Sequence, residues 1–370
     1  RDKLCLMEIN KAIRELHLPT NEDMLHEARR RIIFEELFIF QLGLMKLKGN
    51  RKETTPVEIS RDYTDEFKRL LPFKMTGAQK RAVSESIRQM TSGITMNRLL
   101  QGDVGSGKTA VAAALIYTVI KNGYQCAFMA PTEILAQQHF KTCQNYFKNI
   151  NIHAELLTGS VTAANKRAIK ARLKSGETQL IIGTHALIQD DVEFNALGLV
   201  ITDEQHRFGV EQRAALVRKG EQPHTLVMSA TPIPRTLALL VYGDLDVSII
   251  DELPPGRQPV DTFVVGERYR LRLNAFIRKQ VAEGHQVFVI CPLVGEEDDL
   301  PDERKAATAY ARQLREKTFP DLRVSLLHGR MKAGEKEKVM TSFAAGESDI
   351  LVSTTVVEVG VDVPNATLMV

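Results

Sequence analysis

Residues 97–116 constrain this chain more tightly than any other stretch. Asn97-Arg98-Leu99-Leu100-Gln101 is a short apolar run, Gly102-Asp103-Val104-Gly105-Ser106-Gly107-Lys108-Thr109 fits G-x-x-x-x-G-K-[ST], and Ala110 to Ile116 is a strong helix former. Strand, glycine loop and helix in that order require a buried parallel strand beneath a crossover helix. The loop needs glycine because its backbone N–H groups must approach phosphate where side chains would block them. The helix N-terminus behind it adds partial positive charge. In chemical terms, Gly102 to Thr109 cradle the phosphates of a nucleotide, Lys108 reaches the β and γ oxygens and the Thr109 hydroxyl ligates Mg²⁺.

A second constellation follows downstream. The apolar run Leu199-Val200-Ile201-Thr202 ends in Asp203-Glu204-Gln205-His206. Phosphoryl transfer needs phosphate clamps, a Mg²⁺ anchor and a group that orients water. Asp203 is placed to be the Mg²⁺ carboxylate, either directly or through a bound water, and Glu204 the base for the attacking water. A helix cap after a strand is the plainer account of two acidic residues there. Their order after the phosphate loop favours chemistry.

The chain has 370 residues, which suits two domains and an extension better than a single core. Hydrophobic residues make up 44% and charged residues 26%, and no apolar run approaches the roughly 18 residues that a membrane span requires. A membrane protein is therefore not expected. The formal net charge of +3 is too mild to identify a nucleic-acid partner by itself. Cys5, Cys126, Cys143 and Cys291 form no zinc-like spacing, so reduced, mostly buried thiols and a cytoplasmic setting are expected. The N-terminus has neither an initiator methionine nor a signal-peptide pattern, which suggests a piece of a longer protein.

Residues 22–49 carry apolar positions at three- and four-residue steps and predict one long helix, with Arg29-Arg30-Arg31 as a solvated or ion-paired face. Beyond Leu71, compact apolar runs at 125–130, 178–183, 197–203 and 225–229 alternate with helical stretches, the pattern of buried parallel strands in a doubly wound α/β domain. A Pro- and Gly-rich linker at 251–259 precedes a second series, with strands at 286–291, 323–327 and 349–353 and helices near 268–283, 303–317 and 332–345. Glu296 to Asp299 reads as a solvated acidic loop, and no repeat at solenoid periods is visible. The expected division is a helical segment at 1–58, a first α/β domain at 59–256 and a second at 257–370.

GDVGSGKT, APTEILAQQH (130–139), GTHAL (183–187), DEQH (203–206), SATPIPRT (229–236) and STTVVEVGVDVPNA (353–366) stand in the order of the superfamily 2 helicase motifs. The phrasing DEQHRFGVEQR, MSATPIPRTLAL and LLHGRMK most resembles the RecG family of branch-migrating DNA helicases. That resemblance implies two tandem RecA-like domains, with ATP and Mg²⁺ as cofactors. It also implies an ATP-dependent helicase or translocase that remodels stalled forks, Holliday junctions and R-loops in recombination and repair. It assigns Lys108, Glu204, Gln205 and His206 to catalysis, Gln79 to adenine, and Gly360 and Asp362 to closing the second lobe over ATP. Thr132, Thr184 and Thr354 would hold DNA phosphates. Implied partners are branched or forked DNA and a single-stranded-DNA-binding protein, for a monomer with no membrane association.

The same resemblance places a wedge domain before the first helices and an arginine-bearing motif after Val370. Binding of ATP is therefore expected more firmly than turnover. Two other readings stay open: a duplex-DNA translocase of the transcription-repair coupling type, and a nucleotide-binding scaffold without turnover. A metabolic P-loop kinase would leave the second lobe unexplained.

Overall fold

The computed structural model describes residues 4–49, 54–148, 150–203, 210–230, 245–254, 260–291, 303–329, 331–354 and 363–370. Glu204, Gln205, His206, Gly360, Asp362 and the acidic loop 296–299 lie outside the described residues.

Helices α1 (Ile9–His17) and α2 (Glu22–Gly49) pack on each other ahead of the sheets. In α2, Arg30 pairs with Glu27 at 3.2 Å and Arg31 with Glu35 at 2.6 Å, so part of the arginine run is ion-paired along its own helix. Next come α3 (Thr64–Leu70), α4 (Gly77–Met90), β1 (Asn97–Gly102), α5 (Lys108–Lys121), β2 (Gln125–Met129), α6 (Glu133–Phe147), β3 (Ala154–Leu157) and α7 (Ala163–Ser175). The first lobe continues with β4 (Leu180–Gly183), β5 (Leu197–Thr202), α8 (Val210–Val217), β6 (His224–Ser229) and β7 (Asp246–Ile250). The second lobe contains α9 (Arg270–Ala282), β8 (Gln286–Ile290), α10 (Glu303–Gln313), β9 (Val324–Leu327), α11 (Ala333–Ala344), β10 (Ile350–Ser353) and β11 (Ala366–Met369).

The first sheet has order β3-β4-β2-β5-β6-β1-β7 and every pairing in it is parallel. Alternate residues of its inner strands face opposite cores. Cys126, Phe128, Ile182, Leu199 and Ile201 join one cluster, and Ala127, Met129, Ile181 and Val200 the other. A strand buried on both faces has to be apolar at successive positions, which is why these segments read as continuous hydrophobic runs. Helix α5 is buried throughout from Ala110 to Ile120 and sits inside the first of these clusters.

The second sheet has order β11-β8-β10-β9, all parallel, and so repeats the β5-β2-β4-β3 half of the first. The repeat holds at residue level. Leu156-Leu157, Gly159, Lys166, Gly176, Thr184 and Asn195 correspond to Leu326-Leu327, Gly329, Lys336, Gly346, Thr354 and Asn365, each 170 positions later. Lys166 Nζ donates to the Gly159 carbonyl at 2.9 Å, and Lys336 Nζ to the Gly329 carbonyl at 2.5 Å. Gln125 at the start of β2 donates to the carbonyls of Leu173 and Thr178, and Gln286 at the start of β8 donates to those of Phe343 and Ser348. The spacing is far too long to register as a solenoid period. Strands β3, β7 and β11 were not anticipated. Glu155 interrupts β3, the edge strands β3 and β11 are only partly buried, and β7 places Asp246 and Ser248 among its apolar residues, so none of the three is a continuous apolar run.

Candidate nucleotide site

Strand β1 delivers the phosphate loop to the C-terminal edge of the sheet, beside the place where the chain leaves for β2 and β6 later fills the gap. Crevices at that edge are where open parallel sheets bind ligands. The loop is tightly built. Gly107 caps α5 at φ +86°, and a Cβ there would fall 2.2 Å from Gln79 Nε2; one on Gly102 would fall 2.6 Å from Ser106 Oγ. Glycine at these two positions therefore leaves room for the Gln79 amide and the Ser106 hydroxyl to lie against the loop.

Lys108 Nζ donates to the loop's own carbonyls, Gly102 at 2.8 Å and Asp103 at 3.1 Å, so the ammonium lies in the concavity. The Ser106 hydroxyl is buried with no hydrogen-bond partner among the described residues. A buried hydroxyl without a partner beside a lysine-bearing nest of N–H groups suits an anionic ligand. Thr109, one residue into α5, is half-buried. Gly105 and Val104 complete the exposed rim.

Gln79 stands in the first turn of α4, which begins with a capping box. Thr76 Oγ1 accepts from Gln79 N at 3.2 Å, and Gln79 Oε1 accepts from Thr76 N at 2.9 Å. Its Nε2 donates to the Ser106 carbonyl at 2.8 Å, and the residue is buried. Both ends of the amide thus serve the helix cap and the phosphate loop. The resemblance assigns this amide edge to adenine, and in the structure the amide also braces the loop.

Helix α4 is itself fixed from two sides. Buried Arg98 of β1 donates to Ser248 Oγ at 2.7 Å and Gln89 Oε1 at 2.9 Å. Glu252, just past β7, accepts from the Ala78 N–H at 3.1 Å and pairs with Arg81 at 3.4 Å. The Ala78 bond, with Arg81 behind it, holds the Glu252 carboxyl below its ordinary value. A cavity of about 380 Å³ opens just ahead of this helix, lined in part by Phe73, Lys74, Lys68 and Lys80. Phe73 stands six residues before Gln79, and the sequence alone assigns it no role.

Asp203 follows β5 and is 6% exposed. Only β6 separates β5 from β1, so the ends of the two strands lie roughly 10 Å apart on one edge. The Asp203 N–H donates to the Met129 carbonyl at 3.0 Å, and Oδ2 accepts from His139 Nε2 at 2.6 Å. The His139 ring is packed on Phe128 with centroids 4.5 Å apart. A carboxylate and a hydroxyl are the hard oxygen donors that Mg²⁺ takes, so Asp203 and Thr109 fit that ion. His139 ends the quoted run APTEILAQQH, but the local pattern gave no sign of its partner 64 residues away.

The three threonines expected at DNA phosphates are each placed at a strand or helix end. Thr132 caps α6 and accepts from Leu135 N at 3.3 Å. Thr184 and Thr354 hold corresponding positions after β4 and β10, both buried, with their N–H groups on the Leu157 and Leu327 carbonyls at 3.4 and 3.3 Å. Those two amides are therefore committed to the protein, which leaves the hydroxyls as the groups for a phosphate.

Comparison with known proteins places these elements. Residues 76–240 match the DEAD/DEAH box helicase family, and residues 270–370 match the helicase conserved C-terminal domain. The ATP-dependent DNA helicase RecG of Synechocystis is 48% identical over 373 residues, covering 100% of this chain and 45% of that protein. Its counterpart in Thermotoga maritima is 48% identical over 371 residues, covering 100% of this chain and 47% of that protein. The solved structure of RecG bound to a three-way DNA junction superposes with a TM-score of 0.80 at 45% identity, over 100% of this chain and 48% of that one. The chain spans about half the length of the curated relatives it matches. Yeast Dbp5 bound to RNA and ADP BeF3, at a TM-score of 0.59 and 18% identity, shares the fold alone.

Proposed function

Because the chain belongs to the RecG family, we propose that it forms the ATP-driven motor of a DNA helicase that remodels branched DNA. The observation that carries this reading is the placement of the phosphate loop and Asp203 on one edge of a single parallel sheet, with a second parallel sheet repeating half of the first. The proposed division is 1–58 for the helical segment, 59–256 for the first RecA-like lobe and 257–370 for the second.

ATP binds through the loop. Lys108 leaves the Gly102 and Asp103 carbonyls for the β and γ oxygens, and the nest of N–H groups and the α5 N-terminus take the remaining charge. Thr109 and Asp203 would hold Mg²⁺, which would supply positive charge beside the phosphates. Glu204 orients water; Gln205 and His206 pass the nucleotide state onward; Gly360 and Asp362 close the second lobe over the site. The cavity beside Phe73, next to the first turn of α4, offers an aromatic side chain for the base to stack on. Thr132, Thr184 and Thr354 grip DNA through phosphates, so binding is independent of base sequence and weakens steeply with salt. Alternating grip by the two lobes moves the motor. A monomer working in the cytoplasm with a single-stranded-DNA-binding protein belongs to the same reading. Buried Cys143, its pKa pushed up to about 12 by desolvation, is an inert thiol of the kind a reducing compartment retains.

The test is ATP hydrolysis stimulated by forked DNA. Lys108→Ala is expected to lower it on the order of 100-fold or more, as loss of a preorganised charge at a phosphoryl site does. Undiminished turnover in that variant would overturn the reading.

A further inference from the structure

We propose that His139 is a positioning residue for the Mg²⁺-binding carboxylate of Asp203. The inference rests on the nucleotide-site reading above and deepens it. A carboxylate can only accept, so the 2.6 Å contact places the ring hydrogen on Nε2 and directs it at Oδ2. Both residues are buried, which strengthens the bond and fixes its direction. Phe128 holds the imidazole from its flat side, and the Asp203 main chain is tied to Met129, the next residue of the same strand. The carboxylate therefore has one oxygen occupied and its rotation arrested, and the other oxygen is directed by that restraint. Metal-binding carboxylates and their hydrogen-bond partners commonly work in this way, and loss of the partner costs roughly 10- to 100-fold in metal affinity or activity.

The position of His139 gives the bond a further use. It sits in α6, about two turns beyond the Thr132 cap. In the first turn of the same helix, Glu133 accepts from Ser160 N at 3.1 Å, and Ile134 packs against the second-lobe cluster that contains Phe288 and Leu327. One rigid helix thus carries a proposed DNA contact, a contact with the other lobe and the restraint on Asp203.

The experiment is Mg²⁺-dependent binding of a fluorescent ADP analogue, which needs no turnover. His139→Phe keeps a flat ring against Phe128 and removes the donor; His139→Gln restores an N–H with a similar reach. His139→Phe is expected to raise the Mg²⁺ concentration for half-maximal binding by roughly 10- to 100-fold, leave metal-free nucleotide affinity unchanged, and be largely rescued by His139→Gln. An unchanged Mg²⁺ midpoint in His139→Phe, or equal loss of binding with and without Mg²⁺, would overturn the proposal. Wild-type protein that binds no nucleotide at all would instead sink the underlying reading of the site.

Discussion

His224, the first residue of β6, accepts from the Met96 N–H at 3.0 Å through Nδ1 and has no exposed surface. Desolvation lowers its pKa from 6.5 to about 4. As pH falls, the unfolded chain therefore takes up the proton first. Stability is intact above pH 6.5 and is lost as pH falls towards 4, a loss of about 3 kcal/mol for this group. Urea unfolding from pH 7 to 4.5 should show a shallower decline in His224→Asn, whose Oδ1 can accept from Met96 without titrating. Identical slopes for the two proteins would assign the acid sensitivity to other groups. At this scale the sequence was a good guide where chemistry is local: the phosphate loop, Lys108 and Asp203 stand where their motifs put them. It was silent on His139 and Phe73, because their significance lies in what other strands bring beside them.

Among the elements, the clearest case is the glutamine that begins an inner strand of each lobe, β2 and β8. Gln125 donates to the Leu173 and Thr178 carbonyls at 2.8 and 2.6 Å and accepts from the N–H groups of Asn195 and Ala196 at 2.8 and 3.0 Å. It therefore closes the end of α7 and the entries to β4 and β5 at once. Gln125→Ala leaves buried backbone groups unpaired and should cost roughly 2–4 kcal/mol in denaturant unfolding. Gln286→Ala should cost less, because its Oε1 meets Asn365 Nδ2 only at 3.5 Å. The inner strands were legible as elements because a strand covered on both faces has no room for polar residues. Edge strand β7 was not, because Asp246 and Ser248 interrupt its apolar run and the partners that satisfy them, Gln89, Arg98 and Glu85, lie far off in the chain.

At the scale of the molecule, the core clusters of the two sheets are almost entirely separate among the described residues, with Ile134 reaching from the first lobe to the second. Two cores with little shared burial should melt as two units. Calorimetry should resolve two transitions. Mg·ADP at 100 times its Kd should raise the first lobe's transition, adding about 2.7 kcal/mol to it, because the described loop residues all belong to that lobe. A single transition that nucleotide shifts as a whole would mean that the lobes unfold together.

The sequence by itself determined the phosphate loop, the Asp203 strand, the α/β class and the presence of a second lobe. Each depends on residues adjacent in the chain or on burial that forces an apolar run. Strand order was decided only in three dimensions. Placing β6 between β1 and β5 sets Lys108 and Asp203 on one edge, and packing α6 against β3 and β4, with the His139 ring on Phe128 of β2, brings His139 to Asp203. The same holds for the correspondence between the lobes, 170 residues apart, which becomes visible when equivalent side chains make equivalent hydrogen bonds. Contacts between distant segments arise from packing whole elements, and no local run of residues encodes them.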